Sequence, residues 1–114
     1  MTPELPVLDR EQLRDITMDD PELMREVLAI LVDDTTQHVA LLAAAVEAGD
    51  AERCARLAHY CKGACANVGA KAAADGFRVL ETSARQSKVD TFVESLHAIH
   101  QQMESLRTEV ETLL

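Results

Sequence analysis

Between Phe92 and Leu113 the apolar residues fall four and three apart: Phe92, Leu96, Ile99, Met103, Leu106, Val110 and Leu113. A half-buried strand needs an alternation of two, which this segment lacks. The spacing draws one apolar seam along a helix of about six turns. A helix with a single seam cannot bury it alone, so the chain must supply other helices to cover it. The rest of the sequence does so. Asp20-Pro21-Glu22 reads as a helix start, with Asp20 as cap, Pro21 in the first turn and an acid suited to the helix dipole. The stripe Leu23, Val27, Leu31, Asp34, His38, Leu42 and Ala45 continues from it, and Gly49 ends it. Asp50 caps a third helix that runs from Ala51 to the break at Asn67-Val68-Gly69. A fourth, from Ala70 to Arg85, carries Ala73, Phe77, Leu80 and Ala84. Asp90 is expected to cap the last helix, and a short helix begins at Asp9 with Leu13 and Ile16 as its apolar contacts. The predicted fold is all-α: an antiparallel four-helix bundle with a short extra N-terminal helix across one end. Residues 1–114 form one domain, of which 1–8 are expected to be a loose tail.

Composition agrees and excludes several function classes. Gly is 4, Pro 3 and aromatics 3%, so breakers and strand formers are scarce. A net charge of −9 without a Lys/Arg cluster argues against nucleic acid and against an anionic membrane surface. No apolar run approaches the ~20 residues that span a bilayer. Met1-Thr2-Pro3-Glu4-Leu5-Pro6 lacks the basic and apolar regions of a signal peptide. Cys54, Cys61 and Cys65 are odd in number and bunched, which fits a reducing compartment rather than a disulfide framework. A cytoplasmic location is expected.

On a wheel of about 100° per residue, Leu57, Cys61, Cys54 and Cys65 fall about 160–240° from His59. They form the predicted apolar face, so His59 faces outward. Ala55, Gly63 and Ala66 lie within about 40° of it, and Lys62 about 60° to one side. An exposed helix histidine usually does nothing. Here the surface around it is kept small, with one cation beside it. Gly63 costs about 1 kcal/mol against Ala inside a helix, which suggests that another backbone must approach. Lys62 suits a phosphate oxygen, and a neutral imidazole is a nucleophile near pH 7.

The run Ala58-His59-Tyr60-Cys61-Lys62-Gly63-Ala64-Cys65-Ala66-Asn67-Val68-Gly69-Ala70 resembles the signature of histidine-containing phosphotransfer (HPt) domains, roughly A-H-x-L-K-G-x-x-x-x-x-G-A. Leu80-Glu81 is similar to the family's pair on the following helix, and the likeness covers nearly the whole chain. Cys61 stands where Leu is usual, and Ala64 where Ser is frequent. The resemblance implies a phosphocarrier, not an enzyme with its own ATP-dependent kinase activity. It implies that His59 Nε2 takes a phosphoryl group from the aspartyl phosphate of a receiver domain and passes it to another receiver. Lys62 would offset charge on that group, and Glu81 would orient the ring through Nδ1. Glu81 and Arg85 read equally well as a surface i,i+4 pair. Arg56, Tyr60, Gly63, Ala66, Asn67, Gly69 and Arg85 are the expected docking residues. The partners implied are receiver domains of response regulators or hybrid histidine kinases. No cofactor is expected on this chain, since Mg²⁺ would come with the receiver, and a monomer is expected.

The alternative function is a helical adaptor that binds receiver-like domains without phosphorylation. A zinc reading of the cysteines is weak, because His59 lies opposite them and no C-x-x-C pair occurs. His38 reads as a half-buried, hydrogen-bonded histidine. The C-terminal seam is more simply used inside the bundle than in a dimer.

Overall fold

The computed structural model describes residues 5–113. Its helices are α1 (Arg10–Ile16), α2 (Pro21–Glu47), α3 (Ala51–Val68), α4 (Lys71–Arg85) and α5 (Phe92–Leu113). A single 3₁₀ turn at Val89–Thr91 leads into α5, and no strand occurs among the described residues. α3 packs on α2 and α4, and α5 closes the ring by packing on the same two. Short connections force each helix to run back along its predecessor, so α2 to α5 form an antiparallel bundle.

The boundaries have local causes. Asp9, Asp20 and Asp50 each accept backbone N–H groups at the starts of α1, α2 and α3. Gly49 and Gly69 end α2 and α3 with φ of +65° and +97°. At Gly69 the requirement is doubled, because a Cβ there would stand 2.9 Å from the Asp9 carbonyl oxygen. Asp90 does not cap α5. It sits inside the 3₁₀ turn, which winds the chain directly into the helix.

The core joins Leu28, Leu31, Leu42, Phe77, Leu80, Phe92, Ile99 and Leu106 with the three cysteines. The α5 seam is buried from Phe92 to Val110, except half-buried Leu96, and Leu113 emerges at 37% exposure. On α2 the expected stripe holds at Leu31, Leu42 and Ala45, and between them burial moves on by one residue. Leu28, Leu31, Thr35, Val39, Leu42, Ala45 and Val46 are buried, whereas Leu23, Val27, Asp34 and His38 are half-buried at its edge. Thr35 fits the core because its hydroxyl donates back to the Leu31 carbonyl.

Two expectations need correction. The N-terminal tail is not loose over residues 5–8, although residues 1–4 lie outside the described ones. Leu8 is buried, Ala72 N–H donates to the Pro6 carbonyl (3.0 Å), and Asp9 N–H donates to Gly69 (2.8 Å). The segment takes up backbone groups left open where α3 turns into α4. The second concerns α2, which reaches the length and mean hydropathy (1.4) of a membrane span. That apolar character has another use, since its buried stripe faces the bundle. Asp33 and Asp34 also sit mid-helix, where an insertion scale charges about 2.5–3.5 kcal/mol per Asp.

α1 closes one end of the bundle. Leu13 is buried, Gln12 Nε2 donates to the Ala66 carbonyl at 2.7 Å, and Arg10 pairs with Glu109 of α5 at 2.8 Å.

Candidate functional site

α3 packs most extensively on α4, and this sets where His59 points. The buried residues of α3 are Cys54, Ala55, Ala58, Cys61 and Cys65. The buried sector is therefore turned toward α4 compared with the sequence expectation. Ala55, expected beside His59 on the open face, is buried at 6%, and Leu57 is only half-buried. Small residues let the two backbones come close, and the contact sector moves to where they are. His59 lies at the rim of that contact. Its side chain is 63% exposed, yet Nδ1 reaches Glu81 Oε2 on α4 at 3.0 Å.

Glu81 is the centre of the arrangement. It is 6% exposed, and its carboxylate takes three partners. His59 and Arg85 share Oε2, with Arg85 Nη2 at 2.7 Å, and Lys62 Nζ lies 2.7 Å from Oε1. Burial pushes the carboxyl pKa up, but hydrogen bonds from Lys62, Arg85 and His59 more than offset this and hold it at about 2. Glu81 is thus ionised across the physiological range and can only accept. The proton of the His59–Glu81 bond must then reside on Nδ1. In a neutral ring that leaves Nε2 bare and pointing to solvent. Glu81 and Arg85 are accordingly more than a surface pair, because the same buried carboxylate also meets His59 Nδ1.

Lys62 was expected as a cation free to meet a ligand. It is instead held by Glu81, with its side chain 33% exposed. Apart from its chain neighbours and its own helix backbone, nothing lies within 4 Å of where a Gly63 Cβ would be, so its surface is open. Arg56 is exposed one turn before His59 and pairs loosely with Glu52 at 3.6 Å. Ala66 and Asn67 are exposed toward the α1 end, where their carbonyls receive Gln12. Gly69 leaves the expected docking set. It is buried against Asp9, and its role is to turn the chain.

On the other flank of His59 stands a cluster the sequence reading missed. The Tyr60 hydroxyl donates to Asp34 Oδ2 at 2.7 Å. The His38 ring stacks on the Tyr60 ring, with centroids 4.2 Å apart and planes 19° from parallel. His38 Nδ1 lies 2.8 Å from the Asp34 carbonyl, which makes His38 the half-buried, hydrogen-bonded histidine expected. The signal was available: Asp34 and His38, one turn apart, interrupt the α2 stripe at a height that faces α3.

The thiols of Cys54, Cys61 and Cys65 are free and buried, and burial pushes Cys61 and Cys65 up to about 12. They fill core rather than face His59. Cys61, in the place of Leu, is fully buried.

An outward imidazole held at Nδ1 by a buried carboxylate, carried on a four-helix bundle, is an arrangement suited to taking up a group at Nε2. The chain belongs to the Hpt domain family, whose model matches residues 26–109. Its role is therefore histidine phosphotransfer in phosphorelays. The fold is similar to that of histidine-containing phosphotransfer protein B (HptB) from Pseudomonas aeruginosa PAO1, with 26% identity and a TM-score of 0.88 over 96% of this chain and 95% of that one. A putative histidine-containing phosphotransfer protein from rice shares the fold at 22% identity, with a TM-score of 0.84 over 94% of this chain and 79% of that one. No curated protein sequence matches the chain.

Proposed function

We propose that His59 is the phosphorylated residue, that its Nε2 takes the phosphoryl group from the aspartyl phosphate of a receiver domain, and that a second receiver then removes it. The observation that carries this is the hydrogen bond between Nδ1 and the ionised Glu81, which leaves the lone pair on Nε2. That lone pair forms the N–P bond while the P–O bond to the aspartyl carboxylate breaks, and the carboxylate departs with the electron pair. The ring becomes cationic as the bond forms, and the Glu81 carboxylate offsets that charge. Lys62, held by Glu81 at rest, exchanges that carboxylate for a phosphoryl oxygen. Magnesium belongs to the receiver's side of the transfer. The chain acts as a carrier, so phosphate arrives from a partner and not from ATP. The free buried thiols suit the reducing cytoplasm, and we take the working form to be a monomer.

The test is a panel of receiver domains, each phosphorylated with acetyl phosphate and mixed with the wild-type chain and with His59→Gln. The wild type should acquire a base-stable, acid-labile label, and the variant none, with its circular dichroism unchanged. Label that persists in the variant would move the site to His38, His97 or His100. A wild type that docks receivers but never takes label would establish the adaptor reading instead.

A further inference from the structure

His59 has two unlike flanks. Toward α4 lie the charges of Lys62, Glu81 and Arg85. Toward α2 lies Tyr60, 49% exposed yet fixed at two points. A tyrosine on an open helix face normally samples several rotamers. Here the hydroxyl is tied to Asp34 across the α2–α3 groove, and one ring face is covered by His38. The hydroxyl bond also pushes the Tyr60 phenol upward, which keeps it protonated and donating.

The partner's size decides what this arrangement meets. A protein that reaches His59 Nε2 covers about 800 Å² of this surface, a disc roughly 16 Å in radius. Tyr60 is the next residue on the same helix, so it falls within a disc of that size centred on the imidazole. Rigid aromatic side chains are favoured anchors in such contacts, because they bury large areas while ordering few torsions.

Resting on the phosphotransfer reading above, we propose that Tyr60 is a preformed anchor for the receiver domain, and that Asp34 and His38 are its positioning residues. Together they set docking affinity and the choice between receivers, while the charged flank serves the transfer itself. Neither positioning residue needs to touch the phosphoryl group.

The test uses the full chain and the receiver of the panel that labels it fastest. Docking is measured by titration, and transfer by single-turnover kinetics at saturating receiver. Asp34→Ala and Tyr60→Phe should each weaken docking about 2- to 10-fold, the cost of ordering a side chain that is no longer held. Transfer at saturation should fall less than docking affinity does. Asp34→Asn keeps an acceptor for the hydroxyl and should restore docking. Because Tyr60→Phe removes a hydrogen bond that Asp34→Ala also removes, while Asp34→Ala loses the carboxylate beside His38 as well (3.4 Å), the Asp34→Ala/Tyr60→Phe pair should dock no worse than Asp34→Ala alone. His38→Ala should weaken docking alongside them, and the ranking of receivers in the panel should change. Docking unaltered by Asp34→Ala overturns the proposal, as do additive losses in the double variant or a fall in the saturated rate matching that in affinity. A chain that neither docks nor accepts phosphate from any receiver overturns the phosphotransfer reading as well. A labelled chain whose docking ignores Asp34 and His38 overturns only this one.

Discussion

Replacing Glu81 by glutamine removes one charge and almost no volume, and its effect can be worked from the site. The carboxyl titrates at about 2 in the fold against an ordinary value of 4.5. Each factor of ten in proton affinity is worth about 1.4 kcal/mol, so the fold favours the ionised form by about 3 kcal/mol. Glutamine resembles the protonated acid in shape and charge. Glu81→Gln should therefore be about 3 kcal/mol less stable at pH 7. The folded pKa is depressed, so the stabilisation is complete above pH 4.5 and is lost as pH falls toward 2. At pH 3 the difference between the proteins should shrink to about 1 kcal/mol. Urea unfolding followed by circular dichroism measures this, with a midpoint shift of about 2 M at pH 7 for a domain of this size. The corresponding drop in Tm is on the order of 10 °C. Equal midpoints at pH 7 would mean that His59, Lys62 and Arg85 are as well solvated without Glu81. A gap that stays constant down to pH 3 would show that packing, not charge, accounts for the loss.

Three further outcomes are expected. Lys62→Ala should lower the rate of transfer more than docking affinity, and equal losses would make Lys62 only a docking charge. Gly63→Gln should slow transfer by crowding the approach to His59 while raising stability by a few tenths to about 1 kcal/mol, read from a transfer assay beside a thermal melt. Gly69→Ala should cost at least about 1 kcal/mol in urea unfolding, since it meets both a left-handed backbone and the Asp9 carbonyl, with transfer on His59 retained.

The parts of the molecule governed by local chemistry were legible in its residues. Asp20-Pro21 and Gly49-Asp50 mark their helix ends because caps and left-handed turns depend on neighbours in sequence. The outward face of His59 followed from the spacing of the cysteines. What escaped was set by which helix packs closest. On α2 Thr35 and Val39 are buried in place of Asp34 and His38, and on α3 Ala55 is buried where that helix packs most extensively on α4. A helical wheel gives the angle of Ala55 relative to His59 but not the direction of the neighbour. The same limit hid the Tyr60–Asp34 bond, which joins residues 26 apart in the chain. It also hid Lys62 on Glu81, since the motif shows the lysine and the carboxylate without showing that one buried group serves three partners.

The docked N-terminal arm has a consequence for how this module behaves when joined to other chains. Leu5 borders a surface groove that also includes Lys62 and Ala66, and Pro6 and Asp9 are tied to the turn after α3. Leu5 itself therefore lies in the groove that Lys62 also lines. A receiver attached there by a short flexible linker would face His59 at an effective concentration in the millimolar range. Such a tether would favour transfer within one molecule over exchange with free partners, so the site of fusion itself selects the partner.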